Sequence, residues 1–289
     1  MMNDQTKGWL LGLAGVAIFS LTLPFTHIAL REFTPLFVSS GRTVAAAALA
    51  LPLLFATRQP LPSAGDLKLL AFVVAGVIFG FPTFSSLAMG TVPASHGGVV
   101  LALLPMSTAL MATIFAGERP SVAFWGWSVA GSIGVITYAL WDNAGHFEAG
   151  DLWLGLAVAA AGMGYAAGGQ LSKKLGGWQV ISWGLVMGLP LTIPIALYNG
   201  QAITFHESAM AWGAFAYVAV LSQFIGFFFW NKGLSLGGIA KVGQVQLLQT
   251  FMTIAASAII LGEAISLRTI GFAILVAACV WFSRKAATN

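Results

Sequence analysis

Ala45-Ala46-Ala47-Ala48-Leu49-Ala50-Leu51-Pro52-Leu53-Leu54-Phe55 decides the fold class, because its apolar character is unbroken. A strand of a membrane barrel would alternate between lipid-facing and lumen-facing side chains over about 10 residues. Nothing alternates here. The stretch lies within an apolar run at 34–57, and comparable runs lie at 8–30, 69–90, 93–116, 121–141, 152–172, 175–198, 209–231, 239–262 and 267–283. A helix needs roughly 20 apolar residues to cross a bilayer. An all-α membrane protein with ten transmembrane helices is therefore expected.

Composition removes the soluble alternatives. Of 289 residues, 58% are hydrophobic and 8% charged, whereas a soluble domain carries about 25% charged residues. Mean hydropathy is +0.88. Four His and one Cys, Cys279 inside an apolar run, make no CxxC or HExxH spacing, so no metal, cofactor or disulfide framework is expected. The net charge of +4 is carried by Lys and Arg scattered singly between runs, which argues against nucleic acid as a partner.

The run at 8–30 exceeds the apolar core of a signal peptide, has no Ala-x-Ala behind it and leads straight into the next run. A retained N-terminus is expected. The longest connections, 58–68, 142–151 and 199–208, leave no room for a folded domain outside the membrane. Function must reside among the helices.

Cytoplasmic loops carry the excess of Lys and Arg. With the N-terminus inside, Lys7, Arg58, Lys68, Arg119, Lys173, Lys174, Lys232, Lys241, Arg284 and Lys285 face the cytoplasm, and only Arg31 and Arg268 face outward. Both termini are then cytoplasmic. Trp9, Trp125, Trp127, Trp141, Trp153, Trp178, Trp212, Trp230 and Trp281 fall near run ends and read as interfacial anchors. His96 and its repeat counterpart Lys241 read as interfacial, and His146 and His206 as loop residues.

The chain also repeats itself. At a shift of 145 residues, Gly98, Leu103, Gly117, Glu118 and Gly126 fall on Gly243, Leu248, Gly262, Glu263 and Gly271. At a shift of 143, Leu11-Gly12-Leu13-Ala14 matches Leu154-Gly155-Leu156-Ala157. The halves are 1–145 and 146–289, each with five runs. Five is odd, so the second half would enter from the opposite side, giving inverted repeats of the kind that alternating-access transporters use.

The Gly-Glu pair at the end of the fourth run of each half resembles the EamA-type family of the drug/metabolite transporter superfamily. Phe19-Ser20-Leu21-Thr22, and Pro35 with Arg42 entering the second run, add to the likeness, although the family's Trp in the first run is missing. Within that family the short loops and length are most similar to bacterial aromatic amino acid exporters of the YddG type. The resemblance implies a ten-span transporter of the bacterial inner membrane, with an amino acid-like small molecule and the lipid bilayer as its partners.

Candidate site residues follow from polar groups at membrane depth. Arg42 lies about 12 Å along its helix at 1.5 Å per residue, and a cation so deep faces a cavity or a partner. Two readings stand: it attracts a substrate carboxylate, or it binds carbonyls and Glu263 near the outer face. Gln246, Gln249 and Thr253 share one helical face, while Lys241 and Gln244 point the other way. Gln246 and Gln249 are candidates for the pathway, or for bonding between helices.

Ser20, Pro24 and His27 share a face, and Pro24 frees the Ser20 carbonyl from its helical bond. Pro24 and Pro105 are hinge candidates. Phe79, Thr83, Met106 and Tyr165 are candidates for an apolar wall, or for plain packing. Gly76/Gly80, Gly164/Gly168 and Gly184/Gly188 are spacings for close helix packing. Glu118 and Glu263 sit at run ends and read as loop braces.

The expected activity is export of aromatic or other apolar amino acids by a monomer, by alternating access and facilitated diffusion. The alternative is a multidrug or nucleoside-type exporter driven by proton antiport. An enzyme is not expected, since no nucleophile and base are paired.

Overall fold

The computed structural model describes residues 3–117, 121–142 and 148–287. Glu118, Arg119 and His146 lie outside them. Every described element is helical. Eight helices are long and apolar enough to cross a membrane: α1 (Asp4–Ala29), α2 (Pro35–Ala56), α3 (Ala64–Met89), α4 (Ala94–Phe115), α6 (Ala149–Leu175), α7 (Gly177–Asn199), α8 (Ala209–Gly237) and α9 (Ile239–Leu261). Two further helices are α5 (Val122–Asp142) and α10 (Leu267–Ala287), which pack chiefly on each other.

Three of the helix interruptions lie beside a proline. Proline removes an N–H and crowds the carbonyl four residues back. Pro24 lies just past a break in α1 at Leu21. Pro82 follows a π-helical stretch of α3, Val74–Gly80, and Pro105 follows a 3-10 turn of α4, Leu101–Leu103. A second π-helical stretch, Tyr217–Ile225, lies in α8 and overlaps the first at the same 145-residue shift. Such wide turns free backbone groups and recur at functional sites.

Those freed groups are satisfied from other helices. Thr253 of α9 donates its hydroxyl to the Ser20 carbonyl at 2.9 Å. Thr43 of α2 does the same for Ile78 at 3.0 Å, and the Gln223 amide of α8 donates to Val77 at 3.0 Å. In a bilayer core no water would take these roles.

Close approach comes from glycine. A Cβ on Gly8 would lie 2.7 Å from the Gly237 nitrogen, and one on Gly233 would lie 2.8 Å from the Gly12 nitrogen, so α1 and the end of α8 meet backbone to backbone. Gly76 and Gly164 do the same between α3 and α6.

Two expectations need correcting. Trp230 is no interfacial anchor: it is fully buried, edge-on to the Tyr165 ring at 5.3 Å between centroids. Its place near a run end concealed that α8 turns its last part against α1. His96, expected at the interface, is buried at the start of α4. It is 1% exposed, and its Nε2 lies 2.7 Å from Asp151 Oδ1, with Tyr138 beside the ring. The pair joins α4 to the start of α6, a contact between residues far apart in sequence.

Candidate functional site

The centre of the molecule holds a small cavity lined by Phe19 and Thr22 (α1), Arg42 (α2), Val77 and Phe81 (α3), Tyr165 (α6), Ser222, Gln223 and Phe227 (α8) and Gln249 (α9). Residues from before and after position 145 contribute alike. Its volume is about 10 Å³, room for about one water.

Arg42 supplies the charge. It is 1% exposed, and its Nη2 donates to Ser222 Oγ at 3.0 Å. Ser222 Oγ also lies 2.8 Å from Thr22 Oγ1. The remaining guanidinium nitrogens, Nε and Nη1, have no partner among the protein's atoms. Gln249 Oε1 has none either, at 2% exposure. A buried polar group without a partner costs about 1–3 kcal/mol, more when charged. The cavity therefore presents donors beside an acceptor. Among its described lining residues no carboxylate opposes Arg42.

An aromatic wall stands next to these groups. Phe19 stacks on Tyr165 at 6.4 Å and leans on Phe227 at 5.0 Å. Trp230 closes the cluster, 6.2 Å from Phe19. Two of the three described π-helical stretches reach the cavity: Val74–Gly80 carries Val77, and Tyr217–Ile225 carries Ser222 and Gln223.

Of the sequence candidates, Arg42, Tyr165 and Gln249 line the cavity. Gln246 is fully buried one turn away, and its Oε1 accepts from Thr108 Oγ1 at 3.4 Å. Ser20 offers its carbonyl to Thr253, and its hydroxyl donates back to Ala17 O at 2.7 Å. His27 Nδ1 lies 3.2 Å from Met89 O, at the far ends of α1 and α3. Thr83 is buried with no partner for its hydroxyl, while Phe79 and Met106 are half-buried and none of the three touches the cavity. Pro24 and Pro105 are buried beside their helix breaks.

Phe19, Thr22, Val77, Phe81, Ser222, Gln223 and Phe227 were missed. Gln223 was legible as an amide in the middle of an apolar run, by the argument applied to Gln249. The phenylalanines were not, since 21 Phe residues give no reason to choose three.

Helices also meet on either side of the cavity. At one end Phe25 stacks on Tyr217 at 4.3 Å, and Glu32 accepts from the Ser208 backbone N–H at 2.6 Å. The Glu263 carboxylate there accepts from the Ala94 and Ser95 N–H groups, both at 2.9 Å. It braces the start of α4, not its own loop, and makes no contact with Arg42. At the other end α1 and α8 meet through their glycines, and Lys174 Nζ lies 2.7 Å from Asp66 Oδ1.

The model of the EamA-like transporter family matches the chain twice, at residues 6–140 and 148–284. The chain belongs to the EamA-like transporter family. It is a membrane transporter and not an enzyme. The Bacillus subtilis (strain 168) protein called "Uncharacterized transporter YdeK" is 41% identical over 98% of this chain and 99% of its own length. "Uncharacterized transporter YcxC" of the same strain is 23% identical over 91% of this chain and 88% of its own. A solved structure described only as a crystal structure of a protein shares the fold. Its TM-score is 0.68 at 16% identity, covering 96% of this chain and 97% of that one.

Proposed function

We propose that this EamA-family protein exports aromatic or other apolar amino acids across the bacterial inner membrane by alternating access. Ten spans form two inverted five-span halves, 1–145 and 146–289, with both termini in the cytoplasm. The monomer encloses the pathway, which is facilitative and needs no cofactor. The family match in each half and the π-helical stretches at equivalent positions support the repeat. The Lys and Arg distribution supports the orientation.

The observation that carries the substrate reading is Arg42. Its two unpartnered nitrogens meet a cavity walled by Phe19, Tyr165 and Phe227. A substrate carboxylate takes the guanidinium donors, and its ammonium group donates to Gln249 Oε1. The side chain lies among the rings. Ligand sites span about 300–1,000 Å³, so the halves must part to admit a substrate. Arg42 can then exchange Ser222 for the carboxylate.

The test is flux of labelled phenylalanine into proteoliposomes beside a panel of apolar amino acids. Saturable flux above that of empty vesicles is expected, with the matching amino acid amides poor competitors. No flux for any amino acid overturns the reading.

A further inference from the structure

We propose that a groove on the membrane face of α9 and α10 binds an anionic glycerophospholipid with hydroxyls in its headgroup, of which phosphatidylglycerol is the type. The groove has a volume of about 490 Å³, and Trp9, Gln244, Leu248, Phe251, Ile274 and Trp281 are among its lining residues. That lies within the usual range of ligand sites, about 300–1,000 Å³. It is separate from the central cavity, sharing none of its residues.

Gln244 is the group that calls for a ligand. It is 6% exposed, its Nε2 donates to the Ala240 carbonyl at 3.4 Å, and its Oε1 has no partner in the protein. An unpartnered buried oxygen requires a donor, and hydrocarbon chains have none. A headgroup hydroxyl does. Lys241, exposed and three residues before Gln244, lies about 4.5 Å nearer the helix end at 1.5 Å per residue. Its ammonium group suits a phosphate placed above that hydroxyl.

The rest of the groove fits an acyl chain. Leu248, Phe251 and Ile274 are 43%, 38% and 55% exposed, leaving an apolar floor that continues from Gln244 away from Lys241. Trp9 and Trp281 stand near the first residues of α1 and the last of α10, and indoles favour the level of lipid headgroups. Polar groups at one end and an apolar trough beyond them match one lipid, lying headgroup toward the chain termini. The site also gives work to the Lys241 and Gln244 face of α9, which the transport pathway leaves unused.

The experiment is native mass spectrometry of the full, delipidated chain, titrated with phosphatidylglycerol or phosphatidylcholine. Retention of one phosphatidylglycerol through mild activation is expected, with little phosphatidylcholine. Lys241→Gln combined with Gln244→Leu should lower that retention about tenfold, the scale of one hydrogen bond to a charged group. Ile274→Trp fills the groove without altering either polar residue and should lower it likewise, with thermal unfolding confirming that each variant folds. Equal retention of both lipids overturns the proposal. So does unchanged retention in the variants. A disulfide-linked dimer of the Leu248→Cys variant overturns it too, since that would put a second chain over the groove.

Discussion

The Thr253 hydroxyl meets the Ser20 carbonyl at 2.9 Å, so α9 supplies the bond that Pro24 denies α1. This contact fixes the angle of the α1 break next to Phe19 and Thr22, both cavity residues. Thr253→Val keeps the shape and removes the donor. A loss of about 1–3 kcal/mol is expected from the stranded carbonyl. Thermal unfolding in detergent checks it: Val should lower the melting temperature and Thr253→Ser should restore it. A Val variant as stable as the parent would show that the carbonyl has another partner.

Arg42→Ala removes the cavity's charge together with its bond to Ser222. Transport of carboxylate-bearing substrates should fall at least tenfold, about 1.4 kcal/mol or more of lost recognition, and flux of their amides should fall far less. Arg42→Lys offers a point charge in place of a planar fork and should recover only part. A purely structural Arg42 would give the opposite pattern, with lowered thermal stability and unchanged flux per folded molecule.

The three glutamines of α9 should separate by thiol chemistry. With Cys279→Ser as background, Gln249→Cys should react with a small polar thiol reagent during turnover, and saturating substrate should protect it. Gln244→Cys opens to the membrane groove, so substrate should not protect it. Gln246→Cys, behind Thr108, should react slowest. Substrate protection at 244 equal to that at 249 would show that the two faces are not distinct.

His96 and Asp151 form a buried pair between α4 and α6. Replacing Asp151 removes the oxygen 2.7 Å from His96 Nε2 and the acceptor of the Glu148 backbone N–H, a loss of about 1–3 kcal/mol for the two hydrogen bonds. Asp151→Leu should therefore lower thermal stability more than any single change at the exposed Asp4–Lys7 pair, 3.7 Å apart on α1. Comparison of the two melting curves decides it.

What the sequence made legible was whatever depends on one helix at a time. Apolar runs located the helices, the break at Pro24 named the carbonyl that needs a donor, and Arg42, Tyr165 and Gln249 stood out by depth. Contacts between helices were hidden. Helical phase on α9 put Gln244 and Gln249 on different faces, and they line different cavities, yet it could not tell that Gln246 is held by Thr108. On α3 the cavity takes Val77 and Phe81, which lie about half a turn from Phe79. Trp230 and His96 looked interfacial because distance from a run end is a poor measure of burial once neighbouring helices cover that end.

Carriers driven by protons hold a titratable group at membrane depth that senses both substrate and solvent. Among the described lining residues of the cavity there is no Asp, Glu or His. His27 contacts the Met89 carbonyl away from the cavity, and Glu263 is engaged by two backbone N–H groups at the start of α4. Facilitated diffusion is therefore expected: an imposed pH gradient across proteoliposomes should leave initial flux unchanged and drive no uphill accumulation. The buried His96–Asp151 pair is the place where that expectation is most exposed, since it ties the start of α4 to α6, the helix that carries Tyr165. Accumulation driven by the gradient, and abolished by His96→Gln or Asp151→Asn in variants that still fold and still equilibrate substrate, would overturn facilitation and identify that pair as the coupling group.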